Sequence, residues 1–208
     1  MTGSEVTPLQ RQLAGADAAR PTALDAFALA RRTFLRGCRL DMGVLARELG
    51  VNRATLYRWV GSRDRLLVEV LWFLMRRTTD RLLAADDGPP AGRAARIVEG
   101  MVHAVIGNRG MAQFIESEGE LALRLLTTKA SDYQSRLVEL VHGLIADDLE
   151  RGCLRTDVPV DDLAFAVVRI VESYVYIGLI TGERADPERA ARVIRALLPA
   201  PPPSSTAP

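Results

Sequence analysis

The sequence predicts an all-α protein of about nine helices, and three observations carry that expectation. Apolar residues recur at three-four spacing through most of the chain, whereas the strict alternation of a half-buried strand is scarce. Ala, Leu and Arg dominate the composition, and such side chains lose little rotamer freedom in a helix. Gly and Pro fall in short clusters that separate the periodic runs. At 208 residues and 22.7 kDa the chain can bury one large core or two small ones.

Residues 1–20 have no sustained periodicity and read as a disordered tail, with Arg11 and Arg20 available as a phosphate-seeking arm. Pro21 then opens a helix over Thr22 to Arg36, in which Leu24, Phe27, Ala28, Arg31 and Leu35 follow the helical repeat; Gly37 ends it. Two shorter segments follow, Asp41 to Leu49 and Arg53 to Val60, with only Gly50-Val51-Asn52 between them. That is too short for anything but a tight corner between helices. Asp41 caps the first segment and Asn52 the second, and Gly50 supplies the left-handed residue that turns the chain. Leu56, Trp59 and Val60 point back at Leu45 and Leu49, which leaves Arg53, Thr55, Tyr57 and Arg58 outward.

Ser62 caps a long helix from Arg63 to about Ala85. Leu66, Leu67, Val70, Leu71, Leu74 and Met75 line one side of it and Trp72 with Phe73 a second, so it packs on both sides and joins two substructures. The turn-rich Asp86-Asp87-Gly88-Pro89-Pro90 marks the boundary. Beyond it come Gly92 to Asn108, two short helices over Arg109 to Ser117 and Glu120 to Thr127, and Ser131 to Arg151. Glu116, Glu118 and Glu120 are expected on a solvated turn between the two short ones. Val160 to Thr181 is apolar nearly all round and must be covered on both sides. Asp186-Pro187-Glu188 starts a last helix carrying Ala190, Val193, Ile194 and Leu197, and the Pro-rich residues 199–208 read as a second disordered tail.

Charge is divided along the chain. Residues 1–85 hold 14 Arg against 8 acids, a balance of +6, and residues 86–208 hold 13 bases against 18 acids, a balance of −5. A basic front and an acidic rear orient a molecule in the field of a polyanion. Cys38 and Cys153 have no CxxC spacing and read as free thiols of a cytoplasmic protein, since the polar start MTGSEVTPLQ has no apolar signal core. The most apolar run, Phe165 to Ile180, is too short for a membrane span and contains Arg169 and Glu172.

The run Gly50-Val51-Asn52-Arg53-Ala54-Thr55-Leu56-Tyr57, then Val60, then Ser62-Arg63-Asp64-Arg65-Leu66-Leu67, resembles the DNA-binding signature of the TetR family of bacterial transcriptional regulators. The likeness spans about residues 22–85 and departs at Arg63, where Lys is usual, and at Val60, where Phe is commoner. It implies a three-helix helix-turn-helix DNA-binding domain over 21–62, a connecting helix over 63–85 and a helical ligand-binding and dimerisation domain over 86–198. Arg53, Thr55 and Arg58 are then expected to read or flank base edges, and Asn52, Tyr57 and Arg63 to clamp phosphate. The last two helices would pair with those of a second copy through Val168, Val171, Val175, Val193, Ile194 and Leu197.

No catalytic constellation stands out. His103 and His142 lack metal-ligand spacing, and there is no GxSxG elbow, Gly-rich phosphate loop or CxxC pair, so neither an enzyme nor a cofactor or metal is expected. Side chains suited to a mostly apolar pocket are Trp72, Met75, Met101, His103, Phe114, Arg124, Tyr133, Glu172 and Tyr176; core packing or an interface competes for each. Residues 110–198 are similar to the QsdR-type branch of the same family, whose members control lactone-degradation genes, and this implies a lactone or acyl-like inducer. The expectation is a homodimeric repressor on a near-palindromic operator, released by a small, largely apolar effector, with no membrane partner. Two other classes stay open: a small helical enzyme acting on a lactone or ester, and a constitutive architectural DNA binder.

Overall fold

Thr22 sets the first helix, because its hydroxyl accepts from the Asp25 amide at 3.3 Å while the Asp25 carboxylate accepts from the Thr22 amide at 2.8 Å. The computed structural model describes residues 20–201, and regular structure among them is helical: α1 (Ala23–Leu35), α2 (Met42–Glu48), α3 (Arg53–Val60), α4 (Arg63–Ala85) and α5 (Arg93–Ile106) are followed by α6 (Arg109–Thr127), α7 (Tyr133–Glu150), α8 (Val160–Val175), α9 (Ile177–Thr181) and α10 (Pro187–Leu197). The tails expected at 1–20 and 199–208 lie almost wholly outside the described residues.

The corner between α2 and α3 is built as its residue types require. Asp41 Oδ1 accepts from the amides of Gly43 and Val44 at 2.7 and 2.8 Å, Gly50 turns the chain at φ +66°, and Asn52 Oδ1 accepts from the Thr55 amide at 2.7 Å. Leu45, Ala46 and Leu56 are buried beneath that corner together with Ala26, Ala30 and Phe34 of α1. α4 starts at Ser62, whose hydroxyl accepts from the Arg65 amide at 3.1 Å. It packs against α1 and α3 at one end and α5 and α6 further along. Phe73 on α4 meets Phe27 on α1 edge to face at 5.3 Å, with the Arg31 guanidinium 5.0 Å from the Phe73 ring. One hydrophobic cluster runs from Ala26 and Leu45 through Leu67 and Leu71 to Val102 and Val168, so no apolar gap separates the front from the rear.

The two short helices expected over 109–117 and 120–127 are the two halves of α6, which kinks at Glu118, at φ −139°, ψ 40°; the turn expected to be solvated is a tight kink with the Glu118 side chain only 12% exposed. The expected 160–181 helix breaks at Tyr176 into α8 and α9, and α9 ends at Gly182 with φ +77°. A third feature carries no local sequence signal. α5 has no side-chain cap of its own, and the buried Asp148 of α7 accepts from the Ala94 amide at 2.7 Å instead. The Arg93 guanidinium also donates to Asp148 at 3.2 Å, so the carboxylate is fully used in fastening α7 to the start of α5.

The side chains expected at a dimer face are divided. Val168, Val175 and Ile194 are within the protomer's own core, Ile194 having no exposed surface. They cannot contribute area to a second copy. Val171, Val193 and Leu197 are half-buried, and the apolar side chains left outermost on α8 and α9 are Phe165 and Ile180, at 53% and 63% exposed.

Candidate nucleic-acid interface and buried polar cluster

α3 has one side for the core and one for solvent. Leu56 is fully buried, Thr55 half-buried, and Asn52, Arg53, Tyr57 and Arg58 are exposed. Neither Arg53 nor Arg58 is engaged in an ion pair among the described residues, so both guanidiniums are free to meet phosphate or base edges. Asn52 uses its side-chain oxygen to cap α3, which leaves only its amide hydrogens for an outside partner. The Asp41 carboxyl sits below the usual carboxylate range, held there first by the Val44 and Gly43 amides and then by Arg53 and Arg39.

Arg63 is placed differently from its expected role as a phosphate clamp. Its Nε donates to the Leu40 carbonyl at 2.7 Å and its Nη2 to Glu118 Oε1 at 2.6 Å, with the side chain only 20% exposed. The other Glu118 oxygen lies 3.4 Å from Arg39 Nε. The guanidinium is thus part of a joint between the α1–α2 connection, the start of α4 and the break in α6. The Arg63–Glu118 pairing joins positions 55 apart and carries no local sequence signal.

The side chains expected around a pocket also separate. His103 is exposed and pairs with Glu188 on α10 at 3.3 Å, and Arg124 is exposed and pairs with Asp64 at 2.8 Å. Both leave the candidate set. Phe114 packs edge to face on Phe34 at 6.3 Å, toward the front of the molecule. Tyr133, Glu172 and Tyr176 are all buried, and Trp72 meets Tyr133 edge to face at 6.1 Å. Burial pushes the Glu172 carboxyl up to about 7, with Arg169 opposing it, and holds both phenols above their ordinary range.

Glu172 Oε1 has no hydrogen-bond partner. Arg169 Nη1 lies 2.6 Å from Oε2, near enough for charge pairing but out of hydrogen-bond alignment, because that group donates to the Thr127 carbonyl at 3.0 Å. Two small chambers lie near the cluster, one lined by Tyr133 and the other by Val168 and Val171, which precede Glu172 on α8. One, about 40 Å³, is lined by Phe34, Leu71, Met75, Val105 and Tyr133 among others. The second, about 30 Å³, includes Met75, Met101, Val105, Leu137 and Val168. Met75 and Val105 line both and so form the partition between them. No group of three or more metal-ligating side chains occurs among the described residues, and no described helix is long and apolar enough to cross a membrane. Cys38 is an exposed free thiol and Cys153 a buried one.

An arginine-bearing helix-turn-helix carried on one long helix, with an all-helical body behind it, defines a DNA-binding regulator of transcription rather than an enzyme. Residues 91–199, just over half of the chain, match the tetracyclin repressor-like C-terminal domain family. The chain belongs to the TetR family of transcriptional regulators. Among solved structures it is similar to the TetR-family transcriptional repressor QsdR from R. erythropolis, at 28% identity and TM-score 0.74, over 85% of this chain and 93% of that one. A putative transcriptional regulator from Rhodococcus sp. RHA1 shares the fold at 22% identity and TM-score 0.59, over 86% and 97% of the two chains. The multidrug-binding protein EbrR, solved with imidazole, shares it at 22% identity and TM-score 0.55, over 92% and 100%. No curated protein matches the sequence.

Proposed function

We propose that the protein is a homodimeric repressor that binds a near-palindromic operator and leaves it when a small, largely apolar effector enters the body. The observation that carries this reading is the division of α3, whose inner side is consumed by packing while Arg53 and Arg58 stand unpaired outside. Arg53, Thr55 and Arg58 read or flank base edges, and Asn52 and Tyr57 hold phosphate. Arg63, committed to Glu118 and Leu40, is left out of this set. Two copies place their α3 helices in successive major grooves, roughly 34 to 36 Å apart or at a longer spacing. Repression is supported by the likeness to QsdR, which is described as a transcriptional repressor; a lactone or acyl-like effector is what the resemblance of residues 110–198 implies. A chromosomal operator places the protein in the bacterial cytoplasm.

Release follows from where the chambers lie. At about 40 and 30 Å³ they hold no organic effector, for which several hundred Å³ is typical. A ligand that enters them has to displace the partition, and Met75 belongs to α4, the helix that begins beside α3. Moving Met75 shifts the element on which the readers are mounted, and the effector changes DNA affinity by as much as it prefers the displaced state, typically about 1 to 3 kcal/mol.

The test is sequencing of DNA fragments selected by the purified protein, repeated with candidate lactones and acyl compounds present. An enriched inverted repeat that is lost on adding a ligand is the expected result. Enrichment of no sequence contradicts specific recognition, and a site insensitive to every ligand contradicts effector control.

A further inference from the structure

Glu172 is a buried carboxylate for which the fold has no use. Asp148, the comparably buried acid, accepts from a backbone amide and an arginine. Glu172 is only 6% exposed, has one oxygen beside Arg169 at the protein edge and leaves Oε1 without any donor. A buried acceptor left unpaired costs about 1 to 3 kcal/mol, and no helix end or turn near it is served in exchange. On α8 it follows Val171 and lies one turn beyond Val168, both lining the chamber whose partition is Met75 and Val105. The charged carboxylate also raises the buried Tyr133 and Tyr176 phenols, which places all three polar groups within electrostatic reach of one another.

We infer that the effector presents an N–H donor to Glu172 Oε1 and extends an apolar chain into the space opened between α4, α5, α7 and α8. This rests on the effector-binding reading above and narrows its ligand class. Above about pH 7, where the carboxyl is ionised, Oε1 only accepts, so a plain lactone, which offers acceptors alone, meets it with two facing lone pairs and no hydrogen bond. A secondary amide or an ammonium group supplies the missing donor. The protonated phenols of Tyr133 and Tyr176 supply donors suited to a carbonyl on the same ligand. Buried aromatic surface and Met75 suit the alkyl chain.

Calorimetric titration of the full-length, DNA-free protein at pH 8, where Glu172 is ionised, separates the possibilities, and it is unaffected if no operator is found. Three probes with an eight-carbon chain are compared: N-octanoylhomoserine lactone, which carries an amide N–H; octylamine, which carries an ammonium; and γ-dodecalactone, which has neither. At least one N–H probe binds wild-type protein about tenfold or more tightly than γ-dodecalactone, the difference expected of a hydrogen bond to a charged group. Glu172→Leu removes that advantage by weakening the N–H probes, and does not weaken γ-dodecalactone. Glu172→Gln keeps a neutral acceptor, so it preserves amide binding but weakens the amine, which tells the two N–H sources apart. The inference is overturned if neither N–H probe binds, if γ-dodecalactone binds as tightly as both, or if Glu172→Leu leaves the N–H probes unaffected. The probe comparison on wild-type protein stands even if a variant fails to fold.

Discussion

Arg58 is exposed on the outer side of α3, and its removal takes a cation from the DNA face without touching a core contact. Arg58→Ala is expected to weaken operator binding by about 1 to 3 kcal/mol while sedimentation shows an unchanged dimer; an unchanged gel-shift affinity removes it from the contact set. Tyr57→Phe deletes one hydroxyl and gives a small loss that is uniform across DNA sequences, whereas an altered base preference moves Tyr57 to the readout group. Glu172 makes a prediction about pH. Its folded value of about 7 lies above the ordinary 4.5, so the folded chain holds this proton where the unfolded chain has released it. Its contribution to stability is therefore greatest below about pH 4.5, falls between about 4.5 and 7 and is level above, with a total change of about 3 kcal/mol. In urea melts at pH 5 and pH 8, Glu172→Gln flattens that fall; parallel pH dependence in both proteins contradicts it. Of the side chains expected around a pocket, Glu172, Tyr133 and Tyr176 are buried, whereas the helical phase of His103 and Arg124 turns them outward past the buried Met101 and Leu125.

Helix limits were legible wherever a local chemical signal sets them. Asp41, Gly50, Asn52, Ser62 and the Asp186-Pro187 pair all begin or end helices as their residue types require. Asn52→Ala should cost about 1 kcal/mol by loss of the bond to the Thr55 amide, measured by urea unfolding. Distant partners were not legible. The kink at Glu118 falls where the sequence places a turn, but periodicity within α6 contains no trace of Arg63, which reaches it from α4. Gly110 marks another long-range contact, since a Cβ built there would collide with the Phe34 carbonyl oxygen on α1. Gly110→Ala therefore has to push α1 and α6 apart, and an unfolding free energy lower by about 1 to 3 kcal/mol is expected; a loss within error would show that the two helices separate freely.

At the scale of the whole molecule, the expected division at 86–90 coincides with a non-helical connection, yet the apolar cluster runs unbroken from front to rear through α4. Turn residues announce a change of element, but only packing decides whether a core is shared. The proposed pairing surface meets the same difficulty. Apolar periodicity on α8 and α10 does not distinguish side chains facing the protomer's own core, such as Val168 and Ile194, from those facing out, such as Phe165. Phe165→Glu with Ile180→Glu is expected to yield monomers in sedimentation that keep native helicity; an unchanged dimer places the pairing elsewhere. The basic front and acidic rear then present two arginine-bearing α3 helices to one duplex.

The most direct measurement is operator affinity by fluorescence anisotropy over a range of salt concentrations, comparing wild-type protein with the Arg53→Ala, Arg58→Ala double variant. The account predicts that the double variant loses at least about a hundredfold in affinity at fixed salt and has a shallower salt dependence, with fold and dimer unchanged. Equal affinity and equal salt slope in the two proteins would contradict it, because DNA would then be held by some surface other than α3.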